Sequence, residues 1–156
     1  MEVHNVAKKK KTAQKMKPNG RPWFITTECR AVLVHRGDHA LAEFPDDAEH
    51  LVAPIEDCKV KAGETATRFH VRSLSRQERI KVQAVMAQSV MDGNSGSQLV
   101  LLIDEAARLA VDRVELPTGE VWDADAWKDA YDDVDGGLAG ALGTWIVTQS
   151  HKDPLV

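Results

Sequence analysis

The segment Thr67–Glu78 constrains this chain most. Phe69 and Val71 alternate with His70 and Arg72, a period of two that marks a half-buried strand, and at Ser75 the pattern changes to helical spacing. A helix beginning there needs acceptors for its first backbone N–H groups. Ser75 and Glu78 stand three apart, so the hydroxyl can take the N–H of Glu78 while the carboxylate takes the N–H of Ser75. The segment is therefore read as a strand-to-helix hinge closed by a capping box.

Downstream of the cap, Ile80, Ala84, Ala87 and Met91 fall at i, i+4, i+7 and i+11, one apolar face of a helix. Arg76, Gln77, Arg79, Lys81 and Gln83 keep its start wet. Asp92-Gly93-Asn94-Ser95-Gly96 ends it, and Ser97 is placed to cap a second helix. The run Leu99-Val100-Leu101-Leu102-Ile103 is apolar on every side, which makes that helix central or gives it a protein-facing side.

Before the hinge the chain is β-rich. Trp23–Thr27 and Cys29–His35 read as strands, Arg36-Gly37-Asp38 as a turn, and Ala40–Phe44 as an antiparallel return, with Leu33, Leu41 and Phe44 as core candidates. Leu51-Val52 and Cys58–Lys61 are short strand candidates, and Ala62-Gly63-Glu64 turns into the Phe69 strand. After the second helix, Val111–Leu116 and Glu120–Trp122 flank Pro117-Thr118-Gly119 as another hairpin. Asp123 or Asp125 then caps a helix carrying Trp127, Ala130, Tyr131 and Val134 on one stripe. A last helix aligns Leu138, Leu142, Trp145 and Ile146; Gly140 and Gly143 each cost it up to about 1 kcal/mol, a cost offset if they permit close packing on a neighbour. The expected fold class is α+β. A small, mainly antiparallel N-terminal sheet precedes a helical C-terminal half with a second short hairpin.

At 156 residues, 43% hydrophobic and 28% charged, the chain suits one domain with its own core. Residues 1–20 lack large apolar side chains and are read as a flexible basic arm. Residues 21–156 form the α+β domain, β-rich over 21–72 and mainly helical over 73–156. No apolar run approaches the roughly 18 residues of a membrane span, so membrane insertion and secretion are not expected. Cys29 and Cys58 lack a paired spacing, which points to free thiols in a reducing cytoplasm.

Charge is unevenly distributed. Lys8, Lys9, Lys10, Lys11, Lys15, Lys17 and Arg21 face only Glu2 within the first 22 residues, a balance of +6 in a chain of net charge −4. Nine acids against Arg113 and Lys128 give −7 between Asp112 and Asp135. Such asymmetry suggests a partner. A basic arm binding nucleic acid through Lys8–Lys11, Lys15, Lys17 and Arg21 is one functional alternative.

Catalytic and metal patterns are weak. Asp123, Asp125, Asp129, Asp132, Asp133 and Asp135 lack the calcium-loop order, because Trp127 and Lys128 interrupt it, and read as a solvated helix face. Among Cys29, His35, His39, His50 and Cys58 only His35 and His39 have a metal-like spacing. His70 beside Arg72 has no accompanying nucleophile motif, and Asp92–Gly96 lacks the Gly-Lys-Ser/Thr of a phosphate loop. Arg68, Arg72, Arg76, Arg79 and Lys81 cluster around the hinge, where the alternatives are a phosphate-holding patch and the commoner solvated basic face. No metal or cofactor is expected.

The order strand, Val71-Arg72-Ser73-Leu74-Ser75, capped helix, apolar helix, Trp122, and a closing helix with Trp145-Ile146 and Ser150 resembles tail assembly chaperones and related small morphogenesis proteins of tailed bacteriophages. The resemblance covers about residues 67–150. It implies a non-catalytic role in the host cytoplasm or virion, keeping tail or tape-measure subunits soluble during assembly, and it carries over no catalytic residue. Leu99, Leu102, Ile103, Trp127, Tyr131 and Trp145 are the partner-binding candidates on this reading, including for self-association. Their alternative is the domain's own core.

Overall fold

A computed structural model of the protein describes residues 29–46, 50–91, 93 and 98–150. The basic arm, the Trp23–Thr27 strand and the Ser97 cap lie outside the described residues. The chain is α+β. Strands β1 (Arg30–His35), β2 (Leu41–Glu43), β3 (Val52–Pro54), β4 (Lys59–Val60) and β5 (Arg68–Arg72) precede helices α1 (Arg76–Met91) and α2 (Gln98–Ala110). The hairpin β6 (Val111–Glu115) and β7 (Val121–Asp123) follows, then α3 (Ala124–Ala130) and α4 (Gly136–Ser150).

The main sheet has five strands in the order β3-β1-β5-β6-β7, and every pairing in it is antiparallel. The late hairpin β6-β7 therefore joins the N-terminal strands along β5. Its turn closes through Gly119, whose φ of +91° a side chain would resist. The expected hairpin between the strand ending at His35 and Ala40–Phe44 does not form: β1 pairs with β3 and β5, and β2 pairs with β4 in a separate small sheet. The Asp38 carboxylate explains this, because it accepts from the backbone N–H groups of Ala40 at 2.9 Å and of Thr67 at 2.9 Å, which bends the chain away from β1. Leu33 is core as expected. Leu41 is half-buried over a small cluster with Val34, Ala40 and Ala66, and Phe44 sits half-buried beneath the Arg36 guanidinium.

Register decides which side chains enter the main core. Ala31 opposes Val71 and Leu33 opposes Phe69, while Val114 opposes Phe69 on the next strand, so these face one side together. Against that side pack Ala106, Ala107 and Ala110 of α2, Trp127 of α3, and Ala139, Leu142 and Ile146 of α4. The alanines let α2 lie close to the sheet, and Gly143 lets α4 cross α2 at Ile103. A Cβ on Gly143 would stand 2.1 Å from the Ile103 carbonyl oxygen, so the glycine is a packing requirement. Gly140 has open space instead.

The ends of α4 are fixed by specific polar contacts. Asp135 accepts from the N–H of Leu138 at its start, and Ser150 at its end accepts from the N–H of Leu74 at 2.8 Å while donating to the Ile146 carbonyl. The closing helix thus holds the segment that links β5 to α1.

Candidate protein-binding surface

The hinge forms as the residues require. Ser75 Oγ accepts from the N–H of Glu78 at 3.2 Å, and Glu78 Oε1 accepts from the N–H of Ser75 at 2.9 Å. Arg72 adds a second restraint, donating to both carboxylate oxygens of Glu78 at 2.5 and 2.7 Å, to Asp112 at 3.0 Å and to the Leu109 carbonyl at 3.1 Å. Burial would raise the Glu78 carboxyl, but the Arg72 guanidinium and the Ser75 N–H outweigh it and hold the group at about 2. The Arg72 guanidinium is held above its ordinary value in turn, chiefly by its hydrogen bonds to Glu78. These bonds set both the start and the roll of α1.

The consequence is an outward apolar row. Val82 is 1% exposed and turned into the core. Ile80 stands two residues earlier, about 200° away around the helix, and so faces solvent. It is 54% exposed and Met91 is 80% exposed, with Ala84 and Ala87 exposed between them. The row that periodicity marks as the apolar face of α1 is therefore its outer face. Val85 on α1 and Leu99 and Val100 in the first turn of α2 are exposed as well, whereas Ala106, Ala107 and Ala110 at the far end of α2 are fully buried. The apolar exposure thus concentrates along α1 and on the first turn of α2.

The partner-binding candidates separate into two groups. Leu99 is exposed on α2, while Leu102 and Ile103 are half-buried against α1 and α4. Trp127 and Tyr131 are core residues and do not form an outward patch. Their rings meet edge to face at 5.7 Å, the Trp127 indole donates to the Ala107 carbonyl, and the Tyr131 hydroxyl donates to Asp104 Oδ1 at 2.6 Å. Burial first, then the Asp104 carboxylate, push the Tyr131 hydroxyl up. Trp145 packs half-buried on the same core. Phe69 on the inner side of the sheet meets the Trp127 ring edge to face at 6.1 Å, so the aromatic rings complete the core.

The polar groups that attract a chemical reading are occupied structurally. The His70 ring and the Glu115 carboxylate are in hydrogen-bond contact across β5 and β6 on the outer side of the sheet, with Arg113 beside both, and the His70 contact holds the Glu115 carboxyl below its usual range. Asp112, the extra residue at the β6 bulge, pairs with Arg30 and Arg72. Asp123 caps α3 by accepting from the N–H of Ala126 at 2.8 Å. His35 Nδ1 accepts from the Gly37 N–H, the Cys29 thiol contacts Gln149 and the Cys58 thiol contacts the Pro54 carbonyl, so the five zinc candidates do not converge. Both cysteines are free, and burial followed by Asp57 and Glu56 raises the Cys58 thiol. Among the described residues no group of three or more His, Cys, Asp or Glu could hold a metal ion, and no helix is long and apolar enough to cross a membrane. The nucleic-acid candidates Lys8, Lys9, Lys10, Lys11, Lys15, Lys17 and Arg21 lie outside the described residues.

An open groove of about 530 Å³ runs between α2 and α4, lined by Val100, Ile103, Tyr131, Ala139 and Thr144, with Asp104 and Asp132 at its edge. It shares Val100 with the exposed turn of α2. No known family, curated protein or solved structure matches the chain. The class defined by fold and surface is an α+β domain bearing an α1-α2 helical hairpin with an outward apolar row.

Proposed function

We propose that this chain is a non-catalytic assembly protein that works by holding another protein chain against the outer row of α1. The carrying observation is the exposure of Ile80, Ala84, Ala87 and Met91 along one line of a helix whose opposite side is fixed by Val82 and the Arg72–Glu78 pair. Covering apolar surface is worth roughly 25 cal/mol per Å², and a stripe of this kind on a domain surface is characteristic of helix-in-groove recognition. The resemblance of residues 67–150 to tail assembly chaperones supplies the setting: a tail or tape-measure subunit as client, in the host cytoplasm or the virion.

Co-expression with tail and tape-measure proteins of a tailed bacteriophage tests the reading. The wild type is expected to raise the soluble yield of at least one of them and co-purify with it, and Ala84→Lys is expected to lose both effects while keeping its own fold. Equal performance by Ala84→Lys would sink the assignment of the row.

A further inference from the structure

Resting on the reading of α1 as a protein-binding row, we propose that in the free protein a second copy of this chain covers the row, with the two α1 helices packed antiparallel. The spacing Ile80, Ala84, Ala87, Met91 runs four, three, four, which is both a coiled-coil seam and the same read in either direction. A two-fold axis between Ala84 and Ala87 therefore brings Ala84 onto the partner's Ala87, and Ile80 onto the partner's Met91. This is the self-complementarity that an isologous interface demands. Small residues at the centre permit a close helix approach, near the 8 Å end of the usual range of about 8–10 Å, and the larger side chains close the seam at its ends.

Charge selects the antiparallel direction. Arg76 and Lys81 flank the row near its start, and Glu78, the one acid in α1, is turned inward onto Arg72. In a parallel pair the two cationic ends would lie side by side. In the antiparallel pair each lies beside the other helix's C-terminal turn, whose carbonyl groups carry partial negative charge. The α1 helix has 16 residues and so is roughly 24 Å long. One seam of that length covers less than the about 800 Å² per partner of a standard stable interface. The dimer is thus weak, with a Kd on the order of 10 µM, and leaves the row exchangeable for a client.

Sedimentation of the full chain across a roughly 100-fold concentration range around that Kd is expected to show mass rising from monomer to dimer. Ala84→Lys, verified as folded by circular dichroism, is expected to weaken association at least about 100-fold. Direction is read by oxidative cross-linking, with the wild type controlling for Cys29 and Cys58. Ile80→Cys mixed with Met91→Cys is expected to form a mixed dimer. Ile80→Cys alone is not, because antiparallel packing sets the two copies of that position about 16 Å apart along the axis, beyond the roughly 7 Å Cα limit of a disulfide. A wild type that stays monomeric, a dimer unaffected by Ala84→Lys, or efficient linking of Ile80→Cys alone each overturns the proposal. A monomeric wild type that still rescues a tail subunit through Ala84 removes the self-pairing and leaves the client-binding role standing, so the two failures are distinguishable.

Discussion

Arg72, the last residue of β5, holds both carboxylate oxygens of Glu78, in the first turn of α1, at 2.5 and 2.7 Å. The pair is largely withdrawn from solvent, with side-chain exposures of 15% and 18%, so it is screened less than a surface ion pair. It joins the sheet to the helix that carries the outward row, and Asp112 of β6 secures the guanidinium from the other side.

Glu78→Gln is expected to destabilise the domain by about 2 kcal/mol at neutral pH, since Gln can still accept from the Ser75 N–H but takes the two-oxygen charged contact away from Arg72 and leaves it only Asp112 as a charged partner. The folded carboxyl lies near 2, below its ordinary 4.5, so its stabilisation is complete above about pH 4.5 and fades as pH falls through about 2. Urea melts of both proteins across that interval check this. A gap that stays constant down to pH 2 would contradict it.

Ser75→Ala removes one half of the capping box and leaves the packing of Leu74 and Val82 untouched. A loss of about 1 kcal/mol is expected. An unshifted denaturation midpoint would show that Arg72 alone defines the start of α1.

Gly143→Ala and Gly140→Ala separate packing from helix propensity. The first drives a methyl into the Ile103 carbonyl and is expected to cost about 3 kcal/mol or more, because backbone of two packed helices must move apart. The second meets open space and is expected to stabilise by about 0.5–1 kcal/mol. Thermal melts of the two single variants decide it, and similar values for both would refute the close crossing of α2 and α4.

Ile80→Ser and Met91→Ser are expected to change the stability of the monomer by less than about 0.5 kcal/mol, whereas Val82→Ala costs about 1–2 kcal/mol. Melts at concentrations below self-association measure this directly. A loss of more than about 2 kcal/mol at Ile80 would mean that the apolar row faces inward.

Short-range chemistry made much of this molecule legible in its sequence. The Ser75–Glu78 box and the Pro117–Gly119 turn are interactions between residues a few positions apart and form as their spacing dictates, the cap of α3 falls to Asp123 of the two acids that the spacing offers, and the alternation at Phe69 and Val71 marks a strand whatever it pairs with. Periodicity likewise identifies a stripe on α1, because side chains at those intervals share a face in any α-helix. Which way that stripe points is a long-range matter. Arg72 grips Glu78 while anchored by Asp112, 40 residues further on, and that clamp turns Val82 inward and the stripe out. The same holds for Trp127 and Tyr131, whose destination depends on carbonyl and carboxylate acceptors supplied by α2, and for β1, which pairs with β3 and β5 because Asp38 reaches across to Thr67. Local spacing determines what a segment is; the direction it faces was decided by contacts between segments far apart in the chain, whose energies no single window contains.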